Sequence, residues 1–166
     1  MTRVVLVPGV LALLPEYAGL EDPVAELRAA CLAAVAWLGG EVEVLGDPQG
    51  ARVAHALLDA AGVSTTLASA RSNTGAASFL VVGNGSARRS EKAPGHFDER
   101  SSGFDDGLRA WLSGSGSLDL ELGAELLAST DGFALMAERL GTWGEPQVDY
   151  DDDPFGVQYW VMRWQW

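Results

Sequence analysis

The stretch "SFLVVGNGSARRSEKAPGHFDER", Ser78 to Arg100, opens with a β-branched apolar run that stops at Gly83 and passes into a glycine-, serine- and arginine-bearing loop. Such a run, bounded by turn residues, reads as a buried strand. Two similar runs precede it, "RVVLV" (Arg3 to Val7), closed by Pro8-Gly9, and "EVEVL" (Glu41 to Leu45). Between them "DPVAELRAACLAAVAWLGG" reads as a helix, with Asp22 as N-cap, Pro23 at the first helical position and Gly39-Gly40 as the stop. "DPQGARVAHALLDAAG" is a second helix closed by Gly62, and "VSTTLA", from Val63, is a candidate short strand.

Beyond the loop, a helix is expected from Asp98 to Leu112. A Gly/Ser turn at Ser113 to Ser117 follows, and then a helical pair in "LDLELGAELLAST" and "DGFALMAERLG". An acidic loop, "GEPQVDYDDDPFG", leads to the last strand, "VQYWVMRWQW". Strands alternating with helices predict a three-layer α/β sandwich, with a largely parallel or mixed sheet and helices on both faces. The chain of 166 residues fits one domain, residues 1–166. The last strand is apolar on both faces, Val157, Tyr159 and Val161 on one and Trp160, Met162, Trp164 and Trp166 on the other. That pattern fits either core packing or a homodimer contact through this Trp-rich strand.

Composition excludes several function classes. A formal charge of −12 argues against nucleic acid and anionic membrane surfaces as partners. The one cysteine, Cys31, excludes an internal disulfide and a multi-cysteine metal site, and its apolar surroundings predict burial. At the start, Pro8, Gly9 and Glu16 break the apolar run and no A-x-A site follows, so a cytoplasmic chain without a leader or membrane span is expected.

Familiar catalytic motifs are missing. "GNGSAR" starts like a dinucleotide fingerprint but has Arg88 in place of the third glycine. No P-loop or G-x-S-x-G elbow occurs, which leaves Ser86 a loop-capping residue or, as the sharper alternative, a nucleophile. His55 lies mid-helix and reads as structural, whereas His96 sits in a loop at the carboxyl end of the clearest strand, where open α/β sheets bind ligands. Residues 84–100 carry four basic and three acidic groups, so the rest of the chain holds −13. That local excess suits a carboxylate or phosphate ligand, with Asn84, Ser86, Arg88, Arg89, Lys92 and His96 as candidate binding residues and His96 and Ser86 as candidate catalytic ones. It also suits a structural lock on the acidic segment Asp149 to Asp153, the reading placed ahead for the arginines.

Taken together, "VPGVLALLPEYAG", "ELRAACLAAVAWL", "GNGSARRSEKAPGHFDERSSGFDDGL" and "DDPFGVQYWVMRW" resemble the small actinobacterial subunit-B-like proteins of the LigB-type class III extradiol ring-cleavage dioxygenase superfamily. The resemblance implies an α/β fold with its site at the carboxyl edge of the sheet. In catalytic members it implies a non-haem Fe(II) held by two histidines and a carboxylate, with a further histidine as acid/base in opening a catechol-like ring. The residues here depart from that pattern. Pro8-Gly9-Val10 stands where the first metal histidine belongs, Ser86-Ala87 where the Ser-His pair belongs, and His55 does not fit the second ligand's place. Glu145 and Asp149 are the candidates nearest a carboxylate position.

Three readings follow. The first is a LigB-like domain without its iron site or any other cofactor, binding a small anionic or aromatic molecule or a protein through the 84–100 loop. The second is an Fe(II)-dependent enzyme with a site rearranged around His96, Asp98, Glu99 and an acidic residue near Asp149. The third is metal-free catalysis by Ser86 or His96 with arginines stabilising an anion. The first is the expectation carried forward.

Overall fold

The computed structural model describes residues 1–17, 19–63 and 78–166. Its strands are β1 (Arg3–Val7), β2 (Val42–Leu45), β3 (Ser78–Val82), β4 (Gln147–Asp152) and β5 (Tyr159–Gln165). Its helices are α1 (Ala25–Leu38), α2 (Pro48–Ala60), α3 (Ser101–Leu112), α4 (Leu120–Glu125) and α5 (Asp131–Leu140), with 3-10 turns at Leu11–Leu13 and Pro15–Tyr17. They form an α/β sandwich around one mixed sheet of order β2-β3-β1-β5-β4. β1, β2 and β3 run parallel, with Val5 opposite Leu80 and Val44 opposite Leu80 on the other side, while β5 and then β4 add antiparallel.

The strand periodicity of two splits the apolar residues between two cores. Val5, Val7, Leu80, Val82, Tyr159 and Val161 meet α1 and α2 on one face. Val4, Leu6, Phe79, Val81, Trp160 and Met162 meet α3 and α5 on the other. Covered faces on both sides explain why these strands are continuously apolar. They also account for the last strand, since Trp160 and Trp164 are buried within the chain and Trp166 alone of its tryptophans is exposed.

Several boundaries differ from expectation. α1 begins at Ala25 rather than at Pro23, because Asp22 spends its carboxylate on Val24 N (3.1 Å) and on Arg28 Nε (2.7 Å). Arg28 in turn donates to the carbonyls of Ala12 and Leu13, both at 2.6 Å, which ties the helix to the turn after β1. α2 starts as expected, with Asp47 accepting from Gly50 N at 2.6 Å and Pro48 in the first turn. α3 starts at Ser101, three residues after Asp98. Apart from Val63, which is outside any strand, the short strand expected in "VSTTLA" lies outside the described residues.

The acidic loop expected before the last strand contains β4. Asp and Asn are poor strand formers, and here the pairing with β5 and three arginines overrides that preference. Asp149 pairs with Arg163 (2.6 Å), Asp151 with Arg109, and Asp153 with Arg89 (2.7 Å). Charged side chains also suit the exposed edge of a sheet, where they discourage pairing with another strand.

Among the described residues no helix is long and apolar enough to cross a membrane.

Candidate functional site

β3 delivers the chain at Val82 to the loop that sequence reading singled out. That loop is knitted on both sides by backbone bonds. Asn84 exchanges two hydrogen bonds with Ser129 (both 3.1 Å), and Ala87 N donates to Leu126 O (2.9 Å). On the other side Gly85 N donates to Gln158 O (2.9 Å), Gln158 N to Ser86 O (3.0 Å), and Arg89 N to Gly156 O (3.0 Å). Loops on this edge are held close by glycines. A Cβ on Gly85 would stand 2.5 Å from Asp105 Oδ1 and 2.8 Å from Gln158 Cβ, so no side chain fits there.

Inside the loop, Asp105 organises the polar groups. Its carboxylate accepts the Ser86 amide (2.8 Å), the Ser86 hydroxyl (2.6 Å) and Arg89 Nη1 (2.8 Å). Arg89 then reaches Asp153 through Nε at 2.7 Å. Burial works against the Arg89 charge, but hydrogen bonds to Asp153 and Asp105 more than offset it and raise its pKa. Ser86 is 0% exposed. The hydroxyl that a nucleophilic reading needs is therefore buried and committed to a carboxylate, and Ser86 fastens the loop.

Asp105 went unnoticed in the sequence, although a signal exists. Ser101, Phe104, Asp105, Leu108 and Leu112 share the buried face of α3, so Asp105 is a carboxylate set among apolar positions. Such a group needs partners, and the loop supplies them.

The remaining basic residues divide. Arg88 donates to the carbonyls of Glu125 (3.2 Å) and His96 (3.4 Å). Arg100 pairs with Asp98 (2.9 Å) and Glu125 (2.7 Å). That hydrogen bond, reinforced by the Arg100 amide, holds the Asp98 carboxyl down to about 2. Lys92 is exposed and makes no ion pair or hydrogen bond among the described residues. Of the six candidate binding residues, then, Ser86 and Arg89 face inward, Arg88 and half-buried Asn84 bridge backbone, and Lys92 and His96 face solvent.

The residues present do not fit the iron site that the family resemblance implies. Among the described residues no group of three or more His, Cys, Asp or Glu is arranged to hold a metal, and residues 18 and 64–77 contain none of these types. A Cβ at Gly9, in the first metal histidine's place, would lie 3.1 Å from Val82 Cγ1, so the backbone already packs against β3. Asp98 is committed to Arg100 and Asp149 to Arg163, and Glu145 is exposed.

On and beside the loop stand three exposed apolar side chains that the sequence did not single out, Phe97, Leu127 and Phe155. His96 and Leu127 are the described non-glycine residues with positive φ, 61° and 57°. They are neighbours through Gly95, where a Cβ would stand 2.7 Å from Leu127 Cδ1. Leu127 ends α4 with its N–H on Ala124 O (3.2 Å) and Ala128 N on Gly123 O (2.9 Å), a C-terminal motif whose left-handed position favours glycine. Its side chain is 52% exposed, as are 56% of Phe97 and 42% of Phe155. Phe155 precedes Gly156, which rests on Ser90 and Ala93.

An open depression at the amino ends of β1 and β3, lined by Arg3, Leu38, Gly39 and Ser78, lies at the opposite end of these strands. Arg3 is occupied there in capping α1 through Trp37 O at 2.8 Å. No protein-family model, curated protein or solved structure matches this chain.

Proposed function

We propose that this chain is a LigB-like α/β module without the family's iron centre, and that it binds a protein partner through the ledge formed by Phe97, Leu127 and Phe155 beside His96 and Lys92. The supporting observation is Leu127. A leucine in the left-handed region costs about 1–2 kcal/mol relative to glycine. Here that cost secures only partial burial, because about half of Leu127 stands in water. Strain held at an exposed apolar residue points to a use outside the chain's own stability.

A protein fits this surface better than a small molecule does. Small ligands need concave, largely enclosed sites. At the carboxyl edge the space is taken by the chain itself, with Gly83 against Phe133 and Ser129, and Gly85 against Asp105 and Gln158. The ledge stands outward, with aromatic side chains of the type that anchor protein interfaces.

Leu127→Gly tests the reading directly. It should raise stability by about 1 kcal/mol, by relieving the left-handed strain, and weaken partner binding by about tenfold. The partner is found by placing a photo-crosslinking benzoylphenylalanine at Phe97 in cells, then expressed, purified and titrated calorimetrically against wild type, L127G and Phe97→Ala. Binding unaffected by both substitutions would overturn the ledge. Stoichiometric iron, manganese or zinc in purified protein, with turnover of a catechol, would overturn the non-catalytic reading.

A further inference from the structure

We propose that β4 is an electrostatic strap: an edge strand held on the sheet chiefly by three ion pairs, which opens locally when ionic strength rises while the rest of the sheet stays formed. The observations lie along one short segment. Within β4, Tyr150 alone is even partly buried and the other five residues are exposed, so the strand contributes almost nothing to either core. Its one ladder, to β5, is irregular between Val148 and Tyr150.

What grips it instead is charge. Asp149 binds Arg163 of β5 through two contacts, 2.6 and 3.0 Å. Asp151 binds Arg109 of α3, and Asp153, just past the strand, binds Arg89 of the loop at 2.7 Å. The arginines thus come from three separate elements and reach every second residue from Asp149 to Asp153. Arg163 also lies over the Trp37 ring of α1 (5.2 Å) and Arg109 over Trp160 of β5 (5.6 Å), so the two anchors are set on opposite faces of the sheet. Gln158 Nε2 also donates to Asp151 Oδ1 at 2.8 Å.

Two of the three pairs are open to salt, whereas the third, Asp149 with Arg163, is mostly shielded, at 20% and 23% exposure. Asp153 is 41% and Arg109 43% exposed, and exposed pairs are screened as the Debye length shrinks. β1 and β3 are fixed by buried apolar side chains on both faces and lack that sensitivity. Opening of the strap also loosens the turn after Asp153, which carries Phe155 and seats Gly156 on Ser90 and Ala93. Salt would then dismantle one side of the ledge, a consequence that rests on the proposed binding surface, whereas the strap does not.

Hydrogen exchange read by mass spectrometry tests the strap with no partner present, so its failure is distinct from failure of the ledge. Between about 0.01 M and about 1 M sodium chloride, amides of 147–152 should exchange about tenfold faster. Those of Arg3–Val7 and Ser78–Val82 should change less than about twofold. The neutralised variant D149N/D151N/D153N should exchange fast in β4 at low salt and lose the salt response. If that variant does not fold, Asp153→Asn should show the same change over residues 153–158. Exchange of β4 that is slow and indifferent to salt overturns the proposal, as does equal acceleration in β1 and β3.

Discussion

Ser86 gives Asp105 both its amide, at 2.8 Å, and its hydroxyl, at 2.6 Å, and the carboxylate that receives them is 1% exposed. With Arg89 as the third donor, one helix residue gathers the polar groups of the chain's descent from β3. Breaking a buried pair from one side strands the other side's charge and donors. Asp105→Ala should therefore cost about 3–5 kcal/mol. Ser86→Ala, which leaves the amide bond and the arginine in place, should cost about 1–2 kcal/mol. In urea unfolding, the double variant should fall well short of the sum, because the two residues share one interaction. Additive losses would mean that the pair does not act as a unit.

Arg100 and Asp98 give a prediction with a definite pH sign. Asp98 is held at about 2 by the Arg100 side chain and then by the Arg100 amide, below the ordinary carboxylate value. A depressed folded-state pKa stabilises the fold above the unfolded value, near ~3.9, and that contribution is lost as pH falls through about 2. An NMR titration of the Asp98 carboxyl should find a midpoint near the folded value in wild type. In Arg100→Ala it should move up toward the ordinary range. An unchanged midpoint would remove the side-chain ion pair as its cause.

Much of the architecture was legible because the strands speak twice. "RVVLV" and "SFLVV" are β-branched and turn-bounded, and both faces of each are covered in the fold. The helix read in "DPQGARVAHALLDAAG" is α2, and its start is capped by Asp47 with Pro48 in the first turn. β4 was not legible, since three aspartates in "QVDYDD" outweigh the strand preference of Val148 and Tyr150, and its partners Arg89 and Arg109 lie far away in sequence. The basic cluster was visible as an excess of charge, but its division into inward Arg89, bridging Arg88 and outward Lys92 depended on Asp105 and the turn at Gly156. The ledge left still less trace, because a leucine at a left-handed position cannot be told from any other leucine without its backbone.

His96 occupies that same left-handed region, at φ 61°, while its N–H closes a turn on Ala93 O at 3.1 Å. Histidine tolerates this conformation better than a β-branched residue does. His96→Val should lower stability by about 1–3 kcal/mol, whereas His96→Gly should keep it within about 0.5 kcal/mol of wild type. Thermal denaturation at constant pH separates the two. Equal losses in both variants would assign the imidazole, not the backbone, as the contributor.

Trp160 and Trp164 stand four residues apart on the same buried face of β5, yet their indole nitrogens differ. Trp164 Nε1 donates to Gly144 O (3.1 Å) and Leu112 O (3.3 Å), which joins the end of α3 to the approach of β4. Trp160 Nε1 is fully buried and has no partner among the described residues. Replacing either by phenylalanine removes similar volume, so the cavity penalties should be close. The hydrogen-bond terms should not be, because Trp164→Phe abandons carbonyls that had a donor, and Trp160→Phe removes a donor that had no acceptor. Trp164→Phe should therefore cost about 2–3 kcal/mol and Trp160→Phe about 1 kcal/mol in urea unfolding. Should Trp160→Phe prove the costlier change, its N–H must have a partner in solution, and a buried water beside α3 would be the group to look for.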